Sequence, residues 1–187
     1  IRIFEEEAVA ELMLPHTEGE TRRRIAALAV NMSGGGGFEI WQHTGKEPVM
    51  KESLLRIGDW GINYAKMQCR CIECVYNAFK KEQLDLLGKI TTNPAGEKHF
   101  FVKDLYENIY EFVESPDHYF TEKNINGGIY GVVIGVKNIE ESLVVYRDIL
   151  EYDAIVYDVT GHFDDLKVLP GGHEEVRRVL LRHSKPR

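Results

Sequence analysis

Hydrophobic and polar residues alternate most regularly in the stretch of residues 61–114. From 62 to 70 they alternate with a period of two, which predicts a half-buried strand with one unusually polar face. From Ile72 the apolar residues recur with a helical period, which predicts an amphipathic helix that ends at Gly88 and packs on that strand. Three short strands separated by turn residues follow, at 89–92, 99–103 and 109–113. The stretch is therefore predicted to form one complete βαβββ unit.

Parts of the same unit are predicted on both sides of this stretch. Residues 1–44 indicate its last three strands and residues 129–187 its first part, with linkers at 45–60 and 115–128. A Leu-Pro pair followed by Arg-Arg and an aliphatic residue occurs near both ends of the chain, so the end repeats the beginning. We predict an α+β fold built from tandem βαβββ units. Incomplete units leave open sheet edges, so we expect a homodimer.

The charge and the cysteines narrow the range of partners. A net charge of −7 argues against duplex nucleic acid or an anionic membrane as the main partner, because both attract a basic surface. No apolar run approaches the ~18–20 residues that a membrane-spanning helix needs. Cys69, Cys71 and Cys74 are too crowded to build a disulfide framework, and no fourth zinc ligand follows at the usual spacing. We therefore expect a reducing, cytoplasmic compartment, and neither nucleic acid nor a membrane as the main partner.

Three strand motifs lie in register in the predicted units: 38–42 (FEIWQ), 101–112 (FVKDLYENIYEF) and 131–139 (GVVIGVKNI). Together they resemble the vicinal oxygen chelate superfamily, which includes glyoxalases, bleomycin-resistance proteins and extradiol dioxygenases. Residues 163–172 and the arginine pair that follows them resemble its glyoxalase-like branch. The resemblance implies that the tandem units form a curved mixed β-sheet of eight strands around a pocket, with helices on its convex side. It also implies a divalent metal (Zn, Ni, Fe or Mn) held by residues on the first and last strands of each unit.

Carried over by position, this resemblance implies two metal ligands on last strands, Glu39 and Glu111. The position of the family's first-strand histidine is Tyr64 in the central unit and Gly131 in the third. Two carboxylates could hold a divalent cation that polarises a substrate carbonyl or enediolate as a Lewis acid. The residues themselves leave an alternative open, because a strand carboxylate can instead pair with Lys66 or an arginine, or lie exposed.

The polar face of the first central strand carries further candidates. Tyr64, Lys66 and Gln68 are expected to lie on the same face as Glu111, where a hydroxyl, an ammonium and an amide could bind a polar or anionic ligand. The alternative is that these side chains are solvated. We expect the arginine pair at 177–178 to be solvated, and every histidine other than His43 to lie in loops or at strand edges.

The opening unit adds two candidates beside Glu39. Trp41 follows Glu39 on the same predicted strand face and is a candidate ligand-binding side chain. His43 comes next on that face and is a candidate metal ligand or general base. The catalytic candidates are therefore Glu111, Tyr64 and His43, and the ligand-binding candidates are Trp41, Lys66 and Gln68.

Two hypotheses about function follow. The first is a glyoxalase-like, divalent-metal-dependent lyase or isomerase that acts on a small oxygenated substrate, with Glu39 and Glu111 as metal ligands. The alternative is a metal-free small-molecule binding or resistance module of the bleomycin-resistance type. Both last-strand glutamates favour the first hypothesis, whereas the absence of first-strand histidines favours the second.

Overall fold

The computed structural model describes residues 1–9, 11–16, 19–33, 36–47, 49–50, 52–118 and 124–185. The strands are β1 Arg2–Val9, β2 Arg23–Val30, β3 Gly37–His43, β4 Gly61–Cys69, β5 Asp85–Thr92, β6 Lys98–Lys103, β7 Ile109–Glu114, β8 Asn126–Gly135, β9 Ala154–Gly161 and β10 Val176–Arg182. The α-helices are α1 Ile72–Lys81 and α2 Ile139–Leu143. Shorter 3-10 segments cover Glu11–His16 and Asp164–Leu166, and a π-helical segment covers Val144–Ile149. Strands dominate, which confirms the predicted α+β class.

A mixed sheet of five strands forms the centre of the fold, in the order β5-β6-β7-β4-β8. β4 pairs in parallel with β7, and on its other side it pairs antiparallel with β8. The central βαβββ unit is therefore β4-α1-β5-β6-β7, and β8 extends its sheet. β1, β2 and β3 form a separate antiparallel sheet, and β9 and β10 form a third.

Helix α1 begins and ends at residues that explain its length. Cys71 is its N-cap, and the side chain of Cys71 accepts a hydrogen bond from the backbone N–H of Cys74. The same two cysteines form a disulfide, which the sequence analysis did not predict. The helix ends at Lys81, so the expectation that it continues to Gly88 is wrong. Gln83 adopts a φ of +57°, which a helix cannot accommodate, and the chain then enters β5.

The face of the central sheet that packs on α1 contains the larger hydrophobic core. Its buried members are Met67, Cys69, Ile72, Val75, Phe100, Val102 and Phe112. Phe38 of β3 packs against this core and meets the ring of Tyr110 edge-on, with 5.9 Å between ring centroids. The β1-β2-β3 sheet therefore approaches the central sheet from the α1 side.

The opposite face of the central sheet is covered by the segment between β9 and β10. Tyr64 and Phe101 pack there against Leu166 and Leu169. The covering segment turns tightly at Gly172, where a Cβ would lie only 1.8 Å from the carbonyl oxygen of Leu166. This covering layer brings the C-terminal part of the chain onto the polar face of β4.

The connections differ in part from the predicted linkers. Residues 52–60 contain no helix or strand, as expected for a linker. β8 begins at Asn126, inside the stretch predicted as the linker 115–128. Among the described residues, no helix is long and apolar enough to cross a membrane.

Candidate functional site

Polar and charged side chains are buried together between the central sheet and the segment that covers it. We call this set the buried polar cluster. Its members are Tyr64, Lys66, Gln68, His99, Glu111, Asp165 and Arg178. Buried ionisable groups are rare unless they are paired, and groups of them are candidates for functional sites.

Lys66 and Glu111 form the central pair of the cluster. They lie opposite each other in the parallel β4-β7 register, and Lys66 Nζ is 3.3 Å from Glu111 Oε2. Their side chains are only 7% and 0% exposed. On the other flank Lys66 faces Gly131 of β8, where no atom lies within 4 Å of the place that a Cβ would occupy. Lys66 is therefore held on one side by Glu111 and has open space on the other.

His99 joins the pair to the covering layer. Its Nδ1 lies 2.8 Å from Glu111 Oε1, while its Nε2 lies 3.1 Å from Thr91 Oγ1 and 3.4 Å from Asp165 Oδ2. Because an ionised carboxylate offers only acceptors, this arrangement favours a proton on Nδ1. Lys66 and His99 thus contact both oxygens of the Glu111 carboxylate, although neither contact has the angles of a well-aligned hydrogen bond.

Asp165 and Arg178 form the outer pair. Arg178 NH1 lies 3.0 Å and 2.8 Å from the two carboxylate oxygens of Asp165. The guanidinium also stacks 4.8 Å from the ring centre of Phe163, a cation–π contact. A run of buried polar and charged groups therefore extends from Lys66 through Glu111 and His99 to Asp165 and Arg178.

The environment shifts the pKa values of three members. Burial by itself raises the pKa of Glu111, but the Lys66 ammonium and His99 outweigh burial and hold that pKa below its usual value. Burial, followed by the charge of Glu111, raises the pKa of Tyr64 well above its usual value. Burial alone lowers the pKa of Arg178, but Tyr64, Tyr157 and Asp165 outweigh it and raise that pKa. At neutral pH Glu111 is therefore ionised and Tyr64 is a neutral hydrogen-bond donor.

The sequence candidates of the opening unit lie elsewhere. Glu39 is exposed on β3. Trp41 is 37% exposed, with the Arg24 guanidinium 5.0 Å from its ring centre. His43 is half-buried, and its Nδ1 has no hydrogen-bond partner among the described residues.

The structure does not bring Glu39 and Glu111 together. β3 packs through Phe38 on the α1 side of the central sheet. Glu111 follows Tyr110 on β7 and points to the opposite side. The sheet therefore separates the two carboxylates that were expected to share a metal.

The residues present do not fit the divalent metal that the family resemblance implies. The oxygens of Glu111 face a cation, Lys66, and the ring of His99. Across the described parts of the chain, no group of three or more His, Cys, Asp or Glu side chains is arranged to hold a metal ion. The metal stays a prediction from the resemblance.

Four members of the cluster share one face of the sheet, as expected from the sequence: Tyr64, Lys66, Gln68 and Glu111. Three further members were not expected there. His99 was expected in a loop or at a strand edge, but it is fully buried at the start of β6. Arg178 was expected to be solvated, but it lies on the inward side of β10 while Arg177 points outward. One available signal was that apolar residues follow His99 on both faces of its strand, which indicates burial on both sides. No comparable sequence signal indicated Asp165.

The fold is similar to that of a known protein. A crystal structure of a glyoxalase family protein from Bacillus cereus matches with a TM-score of 0.51 at 10% sequence identity, covering 60% of this chain and 75% of that one. No protein-family model matches the sequence, and no curated protein matches it significantly. At 10% identity the likeness shows the fold alone, and this chain therefore has a glyoxalase-like fold.

Proposed function

We propose that this chain is a metal-free small-molecule binding protein whose ligand contacts the buried polar cluster. The observation that carries the proposal is the surroundings of Glu111. At the position where the family resemblance implies a metal ligand, its carboxylate instead faces the Lys66 ammonium at 3.3 Å and His99 at 2.8 Å. Lys66 supplies the positive charge that a buried carboxylate requires.

The unused acceptor of the cluster indicates the chemistry of the ligand. Gln68 Oε1 is buried and accepts no hydrogen bond from the described residues, whereas both Glu111 oxygens face Lys66 and His99. A buried acceptor without a partner costs about 1–3 kcal/mol, so a ligand that donates a hydrogen bond to Gln68 Oε1 gains that free energy. We infer a small molecule with hydroxyl or amine donors, which would enter beside Gly131.

A second candidate function is the divalent-metal-dependent lyase or isomerase acting on a small oxygenated substrate. One observation favours it: Glu111 and His99, an oxygen donor and a nitrogen donor that metals use, are adjacent and buried. For both to bind one ion, their direct contact and the Lys66 pair would have to separate. The metal-free binding protein needs no such rearrangement, so it is preferred.

The experiment is a thermal-shift screen of small polyols and amines, followed by calorimetric titration of each hit. We expect a hit to raise the melting temperature of the wild-type protein and to lose most of its affinity in Glu111→Gln and Gln68→Leu. Glu39→Gln is the matched control, because it makes the same change on an exposed strand position outside the cluster.

Gln68→Leu distinguishes a loss of binding from a loss of stability if Glu111→Gln does not fold well enough to bind. Gln68→Leu removes an unpaired acceptor without leaving a buried charge behind, so it tests binding separately from the Lys66 pair. Equal affinity of the wild type, Glu111→Gln and Gln68→Leu for every hit would overturn the assignment of the ligand to this cluster.

A further inference from the structure

We propose that Cys71 and Cys74 form a redox-active site that exchanges disulfide and dithiol states with small thiols and disulfides of the glutathione class. This activity is independent of the ligand proposed for the buried polar cluster. The two sulfurs are bonded in the structure, across a Cys-Ile-Glu-Cys sequence at the start of α1. A two-residue spacing at a helix N-terminus is the arrangement in which thiol–disulfide exchange is favoured.

The helix start stabilises the sulfur of Cys71 as a leaving group. Cys71 is the N-cap of a ten-residue helix. Its Sγ accepts a hydrogen bond from the backbone N–H of Cys74, with 3.2 Å between sulfur and nitrogen. The same N–H and the positive end of the helix dipole would stabilise a Cys71 thiolate after the disulfide opens. A leaving thiolate that is stabilised in this way departs faster.

The charged side chains around the start of α1 include groups that oppose a thiolate and a group that offsets them. Glu73 lies between the two cysteines and opposes a thiolate, but Lys98 Nζ pairs with its carboxylate at 2.7 Å. Glu114 also lies nearby, where its Oε2 accepts the Ile72 N–H at 2.9 Å. Glu114 thus uses one amide of the helix start and leaves the Cys74 amide to the sulfur of Cys71.

The two cysteines of the pair are more exposed to solvent than the third cysteine, Cys69. Cys74 is exposed and Cys71 is half-buried, so a small thiol reaches the sulfur of Cys74. Cys69 is fully buried, and burial, followed by the charge of Glu114, raises its pKa to about 12. Cys69 is therefore an internal reference that does not react in the folded protein.

The exchange balances as a two-electron reaction. An external thiolate attacks Sγ of Cys74, the bond between the two protein sulfurs breaks, and Sγ of Cys71 leaves as a thiolate and takes up a proton. A second external thiolate attacks the external sulfur of the mixed disulfide and releases Cys74 as a thiol. Two external thiols are oxidised to one disulfide while the protein pair is reduced, and the reverse sequence reoxidises the pair.

The fold can tolerate this opening. Ile72 and Val75 anchor α1 in the main core, and the Ile72 N–H bond to Glu114 fixes the first turn to β7. These contacts do not involve either sulfur of the pair. Reduction should therefore leave the helix and the central sheet in place.

The test is equilibration of the native protein in buffers of graded reduced and oxidised glutathione. Each sample is quenched with acid, alkylated after denaturation and weighed by intact mass spectrometry. Because the chain has three cysteines, we expect one alkylated thiol in the oxidised state and three in the reduced state, with a reversible two-electron transition between them. Alkylation of the reduced protein before denaturation should modify Cys71 and Cys74 and spare Cys69.

Matched variants and circular dichroism decide the outcome. Cys71→Ser and Cys74→Ser should each abolish the transition, whereas Cys69→Ala should keep it. The native circular dichroism spectrum should persist in both redox states. The proposal is overturned if the pair opens only together with loss of that spectrum, or if the native protein holds three free thiols at every glutathione ratio.

Discussion

Lys66 and Glu111 face each other across the parallel strands β4 and β7, with Nζ and Oε2 3.3 Å apart and both side chains buried. Two strands of one βαβββ unit thus place opposite charges at the same level of the sheet. The pairing makes a buried carboxylate tolerable, because Lys66 supplies the opposite charge from the neighbouring strand.

Removing one member of this pair should be costly. Lys66→Met leaves Glu111 with a buried charge that Lys66 no longer balances, so we expect a loss of about 3–5 kcal/mol in the free energy of unfolding, measured by urea denaturation. The double variant Lys66→Met/Glu111→Leu removes both charges and should be more stable than the single variant.

The control for this experiment is Lys98→Met, which breaks an ion pair whose side chains are 52% and 51% exposed. Such a pair should contribute little that can be measured. A Lys66→Met variant as stable as Lys98→Met would contradict the account of the buried pair.

The pH dependence of stability should show the contribution of Glu111. Its pKa in the folded protein lies below the usual glutamate value of about 4.3, so the unfolded chain binds the proton more readily. The stabilisation is therefore complete above about pH 4.3 and is lost as the pH falls through the lower pKa of the folded state. Urea denaturation from pH 7 to pH 3 should show a shallower fall for the Lys66→Met/Glu111→Leu variant than for the wild type. Identical slopes would rule out this contribution.

The tight turn at Gly172 should control how the covering segment closes over the cluster. A Cβ there would lie 1.8 Å from the carbonyl oxygen of Leu166, so Gly172→Ala forces the turn open and disturbs Leu166, which packs against Tyr64. We expect a loss of about 1–3 kcal/mol and weaker binding of any ligand. Gly161→Ala is the matched control, because no atom lies within 4 Å of the corresponding Cβ position. Equal melting temperatures for the two variants would contradict this role of Gly172.

The homodimer expected from the sequence stays a prediction, and exposed apolar residues support it. Val144, Val145 and Ile149 are exposed after α2, and Ile155 and Val156 are exposed on β9. Where such exposed apolar side chains cluster, they often mark a protein interface. Light scattering after size exclusion should give the mass of a dimer, and Val156→Glu should shift it towards the monomer. A monomer at every concentration up to about 100 times that used for binding assays would contradict the prediction.

Local sequence patterns were sufficient for the polar face but not for its partners. The period-two pattern around Tyr64 and Lys66 predicted that they share a face, because side-chain direction in a strand depends only on neighbouring positions. The pairing of a strand glutamate with Lys66 was one of the alternatives that the residues left open. His99, Asp165 and Arg178 reach the same place through β6, the covering segment and β10, and such long-range contacts leave no local pattern. The end of α1 was misjudged because Leu86 fits the helical period although it lies in β5.

The most direct test of the central claim is the divalent-metal content of the purified protein. Wild-type protein and Glu111→Gln would be incubated with Zn, Ni, Fe or Mn, dialysed and analysed for bound metal. If Lys66 balances the charge of Glu111, both proteins should retain far less than one equivalent of any metal. A wild-type protein that retains one equivalent, together with a Glu111→Gln variant that retains none, would contradict the account and favour the metal-dependent lyase or isomerase.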